Sequence, residues 1–261
     1  MNRDSNIKVD LNCDMGESFG AYKLGDDDKI VNHISSANVA CGYHASDPLV
    51  MDKTVEICKA SSVAVGAHPG FPDLLGFGRR NIIVTPQEAS AYVKYQVGAL
   101  SAFCTTHGVK LQHVKPHGAL YNMAGKDLNL ARAICAAIFS IDKGLILLGL
   151  AGSAMEMASK DIGLRFAKEV FADRGYEEDG SLVQRGKPGA MITDEELAIE
   201  RVIGMVTQHK VKSVTGREIE LTADSICVHG DGEKALEFAR KIKMALTDSR
   251  IQITNLANFI K

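Results

Sequence analysis

The sequence predicts one α/β domain, an irregular β/α barrel spanning residues 1–261. Short apolar runs rich in Val, Ile and Leu alternate with helical patterns along the chain, which favours βαβ units around a parallel sheet. No G-x-G-x-x-G motif follows the first strand, so a closed barrel is favoured over an open doubly wound sheet. No Pro/Gly/Ser-rich linker or internal repeat divides the chain, which favours one domain over two.

Composition limits the function classes. With 46% hydrophobic and 24% charged residues, the chain can bury a sizeable core. Its 30 Lys+Arg and 32 Asp+Glu give a net charge of −2, and no basic cluster indicates a nucleic-acid partner. The N-terminal residues lack a signal-peptide pattern, and the longest apolar run, Leu145–Gly152, is too short for a membrane span. We therefore expect a cytoplasmic protein with no membrane partner.

Seven apolar runs are typical of strands buried on both faces. They are Lys8–Asn12, Ile34–Ala40, Val63–His68, Leu111–Lys115, Leu145–Leu150, Leu164–Val170 and Ser225–His229. The residues Ile251–Ile253 offer a short eighth strand, and Val211–Leu221 is predicted to form a hairpin that turns at Thr215 and Gly216.

The clearest helix start is Thr85, followed by Pro86 and by Glu88 at the position that completes a capping box. Apolar residues then recur at helical spacing, with Gln96 as a polar exception, until Gly108 ends the pattern. Other helix starts are predicted by the same rules: Asp47 before Pro48, Thr193 with Glu196 in a second capping box, and Asp231.

Chemically capable residues follow the predicted strands, at the end of a parallel barrel where active sites assemble. In the first strand, the period of two places Asp10, Asn12 and Asp14 on one face. A solvent-facing strand shows the same alternation, and a lone histidine at a strand end is usually structural. Several later strands also end in His, Asp, Glu or Lys, however. Because the strand ends converge in a barrel, the joint pattern favours an enzyme. The later clusters include Asn38, His44, His68, Arg79, Lys115, His117, Asp173, Arg174 and His229.

Six of these segments carry a resemblance to a known family. They are VDLNCDMGESFG, NVACGYHASDP, VGAHPGFPD with GFGRR, VKPHGALYN, EVFADRGY and SICVHGD, which extend over nearly the whole chain. Together they resemble the LamB/YcsF family, the A subunits of microbial 5-oxoprolinases. The resemblance implies a barrel of the glycoside hydrolase/deacetylase type and ATP-dependent cleavage of 5-oxo-L-proline to L-glutamate. It also implies partners, the B and C subunits of 5-oxoprolinase, that supply the ATP-dependent activation. Because the chain has no G-x-x-x-x-G-K-[ST] loop, we expect ATP to be bound by the partners or shared with them.

Ring opening requires a base for water, stabilisation of an oxyanion, an acid for the leaving nitrogen and a cation for the substrate carboxylate. We expect Asp10 or Asp14 as the base, and Lys115 or His44 to assist the oxyanion or protonate nitrogen. Asp173 completes the catalytic candidates. The substrate-binding candidates are Asn12, Asn38, Arg79, Arg174 and His229, with Arg174 or Arg79 holding the carboxylate. By analogy with deacetylase-type barrels, a divalent metal of open identity is expected on Asp14, His68 and His117.

Other interpretations stay open at this point. One is a stand-alone metal-dependent deacetylase or amidase of the same fold, which would need neither ATP nor partners. Another is a non-catalytic protein that binds the lactam and presents it without reacting. A nucleophilic Cys41 beside His44 is a weaker interpretation, because neighbours in sequence need not meet in space and a cysteine is commonly a small buried hydrophobe.

Overall fold

Seven parallel strands close into a ring within residues 7–228 and 235–261, the part of the chain that the computed structural model describes. The ring closes because the strand Ser225–Val228 pairs with Arg165–Phe171 on one side and with Lys8–Met15 on the other. Its members are β1 (Lys8–Met15), β2 (Ser36–Ala40), β3 (Ala64–His68), β4 (Leu111–Val114), β5 (Ile146–Leu150), β6 (Arg165–Phe171) and β9 (Ser225–Val228). This confirms the predicted irregular barrel.

The strand bounds differ from the predicted ones by one to three residues. β1 continues to Met15 rather than ending at Asn12, because β2 pairs with it through Met15. β2 begins at Ser36 rather than Ile34, and β6 ends at Phe171. His229, the predicted end of the last strand, lies outside the described residues.

Three short strands lie outside the ring. β10 (Gln252–Ile253) pairs in parallel with Lys8 and Val9 of β1, so the predicted eighth strand exists but does not help to close the ring. β7 (Lys210–Lys212) and β8 (Glu218–Glu220) form the predicted antiparallel hairpin. Gly216 lies in its turn with φ +86°, a backbone conformation that favours glycine.

Helices connect and surround the strands, and the main apolar core lies between the two layers. They are α1 (Asp27–Ile30), α2 (Pro48–Ala60), α3 (Pro86–His107), α4 (Gly118–Ala124), α5 (Leu128–Ile141), α6 (Ala154–Ile162), α7 (Glu195–Thr207) and α8 (Ala235–Asp248). In the described ranges, no helix combines the length and apolar character needed to cross a membrane. The assignment of residues 1–261 to one domain stays a prediction.

The helix caps test the sequence rules individually. Thr85 and Glu88 form the predicted capping box, and Gly108 ends α3 with φ +65°. Asp47 caps α2 as predicted. The prediction for α7 is wrong by one residue, because the Asp194 carboxylate, not Thr193, accepts the first free N–H groups. Asp231 lies outside the described residues.

The inside of the barrel is polar along one wall and apolar along the other. Alternation along β1 places Asp10, Asn12 and Asp14 at successive levels of the interior. On the opposite side, Ile146 and Leu148 of β5 pack with Ala167 and Leu256 in a separate apolar cluster. The polar wall leads up to the C-terminal ends of the strands.

Candidate active site

A cavity of about 920 Å³ opens at the C-terminal ends of the strands. Residues at the strand ends and in the segments directly after them form its inner wall, and residues farther along the loops and helices form its outer wall. The inner wall includes Asp14, His68, Lys115, His117, Tyr121, Phe171 and Arg174. This is the end of a parallel barrel where catalytic residues collect.

Lys115 lies at the centre of the inner wall, between two carboxylates. Its Nζ is 3.0 Å from Asp14 Oδ1 and 2.8 Å from Glu169 Oε1, and the Lys115 side chain is only 3% exposed. Burial alone would lower the pKa of Lys115, but the charges of Asp14 and Glu169 outweigh it and raise the pKa well above its usual value. Lys115 is therefore an ammonium group at neutral pH.

Asp14 connects this lysine to the histidines. Its Oδ2 lies 3.3 Å from His68 Nε2. Burial would raise the pKa of Asp14, but His68 and Lys115 hold it well below its usual value. Asp14 thus faces the cavity as an ionised carboxylate.

Tyr121 and Cys227 complete the surroundings of the lysine. The thiol of Cys227 lies 3.2 Å from Lys115 Nζ. Tyr121 packs edge-on against Phe171, and burial together with the charge of Glu169 raises the pKa of Tyr121 well above its usual value. The Tyr121 hydroxyl therefore stays protonated and can donate a hydrogen bond.

A polar layer lies directly below the cavity. Asn38 Nδ2 donates to Asn12 Oδ1 at 2.7 Å and to Asp14 Oδ1 at 2.9 Å, while Asn38 Oδ1 lies 2.7 Å from His113 Nε2. Gly66 leaves room for this histidine, because a Cβ there would lie 2.1 Å from His113 Nε2. The layer fixes the side chain of Asp14 from beneath.

Asp10 lies one level deeper and is fully buried. It accepts hydrogen bonds from the hydroxyls of Ser35, Ser36 and Ser225. Burial nevertheless raises the pKa of Asp10 to about 6. Because Asp10 is not part of the cavity lining, the geometry does not favour it as the base.

Glu17, His44, His68 and His117 form a compact group in which the potential ligand atoms all lie within 4.8 Å of one another. The rings of His44 and His117 stack at 3.6 Å, and Glu17 Oε1 lies 3.1 Å from His44 Nε2. Burial lowers the pKa of both His44 and His117 well below the usual value. These two histidines are therefore neutral, which is the form that binds a metal.

The outer hydrogen bonds of this group fit a metal site. His68 Nδ1 lies 2.7 Å from the Lys115 carbonyl, and His117 Nε2 lies 2.9 Å from the Phe77 carbonyl. Each carbonyl accepts an N–H from its ring, and the second nitrogens of the two rings, His68 Nε2 and His117 Nδ1, lie 2.9 Å apart. Backbone carbonyls commonly orient metal-binding histidines in this way. Imidazole nitrogens with one carboxylate suit zinc and similar divalent metals.

Gln96 holds the loop that follows His68. Its side-chain amide accepts from Gly70 N and donates to Gly70 O, both at 2.9 Å. This explains the polar exception in the apolar stripe of α3, because the helix uses Gln96 to fix the loop after β3.

With this geometry in place, comparisons identify the family. The LamB/YcsF family model matches residues 9–261. The chain belongs to this family. It is 65% identical over 249 residues to the 5-oxoprolinase A subunit of Clostridium beijerinckii, covering 95% of this chain and 98% of the relative. It is 59% identical to the 5-oxoprolinase A subunit of Campylobacter jejuni, covering 97% and 100%. Among solved structures, the lactam utilization protein from Thermus thermophilus matches with a TM-score of 0.90 and 46% identity, covering 95% of this chain and 99% of that one.

The structure brings together only some of the residues that the sequence singled out. Asp14, His68, Arg79, Lys115, His117 and Arg174 line the cavity, and His44 lies in the histidine group beside it. Asn12 and Asn38 lie in the layer below. Asp173 is half-buried and not among the lining residues, and His229 lies outside the described residues.

Of the two arginines expected to bind a carboxylate, Arg174 is buried and donates to the carbonyls of Ala190 and Val183. Arg79 is exposed at the cavity mouth, with its guanidinium 4.9 Å from the centre of the Phe77 ring. Both remain candidates for the substrate carboxylate.

Sequence reasoning missed Glu17, Glu169 and Tyr121. Glu169 lies two residues before Phe171 on β6, so the period of two places both side chains on the same, inner face. Glu17 follows Gly16, whose φ of +69° ends the alternation of β1, so no simple period locates it. The structure also argues against a nucleophilic Cys41, because burial raises the pKa of its thiol to about 12.

Proposed function

We propose that this chain is the ring-opening component of an ATP-dependent 5-oxoprolinase, which hydrolyses 5-oxo-L-proline to L-glutamate. The observation that carries the proposal is the 65% identity, over nearly the whole of both chains, to a 5-oxoprolinase A subunit. The partners, the B and C subunits, would bind ATP and activate the lactam. The relatives are named as one lettered subunit of an enzyme, which supports such partners, and we place the complex in the cytoplasm.

The inner wall supplies the groups that ring opening needs. Asp14 is the carboxylate that orients the attacking water and accepts its proton, since Asp10 does not reach the cavity. Lys115 faces the same space as a cation and is suited to stabilise the oxyanion or protonate the leaving nitrogen. Arg174 or Arg79 would hold the substrate carboxylate.

The residues Glu17, His44, His68 and His117 would hold a divalent metal in the bound state. Such an ion would polarise the lactam carbonyl or lower the pKa of a bound water. Compared with the expected ligands Asp14, His68 and His117, this group keeps both histidines and adds Glu17 and His44, while Asp14 stays in contact with His68.

The first experiment measures glutamate release from 5-oxoproline and ATP with this chain alone, the partner proteins alone and the two combined. Release only from the combination supports the proposal. If the partners alone release glutamate, or the combination stays inactive, the proposal is wrong. An assay with an acetylated sugar and no ATP then tests the deacetylase alternative, and lactam binding without turnover tests the non-catalytic alternative.

Asp14→Asn tests the proposed base. The substitution keeps the shape of the side chain but removes its charge, so we expect glutamate release by the complex to fall about 100-fold or more, the usual contribution of a general base. Asp161→Asn is a matched control, because Asp161 is exposed on α6 and pairs only with Arg132 in the described contacts. Thermal melting of both variants checks that they fold. Full activity of Asp14→Asn would reject a required carboxylate at this position.

A further inference from the structure

Asp10 lies beneath the cavity floor and is held by serine hydroxyls on two sides. Its Oδ1 accepts from Ser35 at 2.7 Å and from Ser36 at 2.6 Å, and its Oδ2 accepts from Ser225. The side chains of Asp10, Ser36 and Ser225 are fully buried. Because Asp10 does not line the cavity, any effect that it has on the reaction must pass through its hydrogen-bond partners.

We propose that Asp10 is a positioning residue for the reaction. It acts through the hydroxyl of Ser225 and the side-chain amide of Asn12. At the end of this path lie the proposed base and the proposed cation of the cavity, Asp14 and Lys115. The inference rests on the proposed function, which gives these two groups their roles in ring opening.

The hydroxyl of Ser225 sets the direction of the path. At pH 8 Asp10 is ionised, since burial raises its pKa only to about 6, and an ionised carboxylate only accepts hydrogen bonds. Ser225 must therefore donate its single hydroxyl hydrogen to Asp10. Ser225 Oγ also lies 2.7 Å from Asn12 Nδ2, and there the hydroxyl can only accept. The amide nitrogen of Asn12 is thus fixed on the side of Ser225.

The amide of Asn12 carries this direction to the cavity. With its nitrogen held by Ser225, Asn12 Oδ1 faces the layer above and accepts from Asn38 Nδ2 at 2.7 Å and from Lys115 Nζ at 3.3 Å. A flipped amide would place an N–H donor against the ammonium group and an oxygen against the lone pairs of the serine hydroxyl. Asp10 therefore disfavours the flipped amide from below.

The position of the Lys115 ammonium group depends on this amide oxygen. Asp14 Oδ1 lies 3.0 Å and Glu169 Oε1 2.8 Å from Lys115 Nζ, and Asn12 Oδ1 adds a neutral acceptor to these two charged ones. Without it, we expect the ammonium group to move toward the carboxylates. Asp14 would move as well, because its Oδ1 accepts from the same Asn38 amide at 2.9 Å. A displacement of about 1 Å near the reacting atoms can lower a rate about 100-fold.

Folding alone does not explain a carboxylate at this depth. Burying an ionised group is costly, and the raised pKa of Asp10 shows that the serine hydroxyls offset only part of this cost. A neutral side chain would avoid the cost at neutral pH. Asparagine or serine, however, could also donate a hydrogen bond and would leave the hydrogen of Ser225 free to turn toward Asn12.

Two serines that make the same contact with Asp10 provide a matched pair of variants. Ser225 and Ser36 each donate one hydroxyl to Asp10. Ser225 continues to Asn12, whereas the Ser36 hydroxyl lies 3.3 Å from Oε1 of Gln112, near the start of β4 and away from the cavity. Ser225→Ala and Ser36→Ala therefore each remove one hydroxyl from Asp10, but only Ser225→Ala breaks the path to the cavity.

The first readout is steady-state kinetics of glutamate release by the assembled complex at pH 8. Ser225→Ala and Asp10→Asn should each lower kcat about tenfold or more and keep KM for 5-oxoproline within about twofold, because they misplace groups that act in the transition state. Ser36→Ala should keep both constants within about twofold of the wild type. Equal losses of kcat in the two serine variants, or wild-type kcat in Asp10→Asn or Ser225→Ala, would overturn the inference. Thermal melting checks that each variant folds.

The second readout needs no turnover. NMR of the full chain at pH 8 measures how fast the side-chain amide hydrogens of Asn12 exchange with water. The rate should rise about threefold to tenfold in Ser225→Ala and in Asp10→Asn, because each substitution weakens the hydrogen bond that holds the amide. It should stay within about twofold of the wild-type rate in Ser36→Ala. Equal rates in all four proteins, or equal increases in the two serine variants, would overturn the path from Asp10.

The two readouts separate this inference from the proposed function. If the wild-type complex releases no glutamate, the proposed function is wrong, and the exchange rates of Asn12 still test the path from Asp10. If the wild-type complex releases glutamate but the two serine variants lose kcat equally, only the positioning role of Asp10 is wrong.

Discussion

The barrel interior has one wall of polar side chains and one wall of apolar side chains. On β1 and β2 and directly after β4, polar inward side chains contact one another, as in the chain from Asn38 through Asp14 to Lys115. Along β5, the inward residues Ile146 and Leu148 are apolar and pack against Ala167. Apolar packing stabilises the barrel without directing any chemistry, whereas each buried polar group is costly unless it is paired. The difference indicates that the polar wall exists for the site above it.

The largest effect should come from breaking the polar wall at its central ion. Lys115→Met leaves the fully buried Glu169 without its cation. Removing one partner of a buried ion pair typically costs about 3–5 kcal/mol, so the free energy of unfolding should fall by that amount in urea titrations. Glutamate release should be lost as well.

Lys210→Met is the control for this substitution. Lys210 pairs with Glu218 at 2.6 Å, but both side chains are about half exposed. Exposed ion pairs contribute little to stability, so this variant should unfold like the wild type. Equal stability of Lys115→Met and the wild type would contradict the view that the polar wall depends on its internal pairing.

A smaller effect is expected from the apolar wall. Leu148 is fully buried, and Leu148→Ala should lower the free energy of unfolding by about 2–4 kcal/mol through lost burial and a residual cavity. Because Leu148 does not line the active cavity, glutamate release by the folded complex should stay unchanged.

Leu75→Ala serves as its control, since Leu75 is 97% exposed in the loop after β3 and should have little effect on stability. A loss of turnover in Leu148→Ala greater than its loss of folded protein would show that the apolar wall also shapes the site.

The contrast between the walls also explains what the sequence could predict. Apolar periodicity and capping rules are local, and they identified the ring strands and the capping box at Thr85. Strand ends depend on the neighbouring strand, which is why β1 runs on to Met15. The cap at Asp194 instead of Thr193 reflects a choice between adjacent residues that can both accept the same N–H groups.

The sequence predicted which face of β1 carries the polar residues but not which of them reach the cavity. Alternation placed Asp10, Asn12 and Asp14 on one face, yet only Asp14 reaches the cavity, because the level of each residue is set when the ring closes. Glu17 joins the histidines through a turn at Gly16, where the Asp27 carboxylate accepts the Gly16 N–H at 2.8 Å. Such contacts between distant residues have no local signal in one sequence.

The smallest effect concerns the pH dependence of Asp10, the deepest acid of the polar wall. Its pKa is raised to about 6 in the folded protein and should be near its ordinary value of about 3.9 in the unfolded chain. A raised carboxyl pKa stabilises the fold at low pH, and this contribution is lost as the pH rises through the folded pKa. As the pH rises from 5 to 8, the contribution of Asp10 to the free energy of unfolding should therefore fall by about 1–1.5 kcal/mol.

Asp10→Asn isolates this contribution. An asparagine is neutral throughout, and the hydroxyls of Ser35, Ser36 and Ser225 can rotate to accept from its amide or donate to its oxygen. Urea titrations of both proteins at pH 5, 6, 7 and 8 give the difference in stability between them, from which other titrating groups cancel. That difference should change by about 1–1.5 kcal/mol in favour of the variant as the pH rises. Parallel curves would mean that the serine hydroxyls, which favour the ionised carboxylate, offset the burial of Asp10 completely.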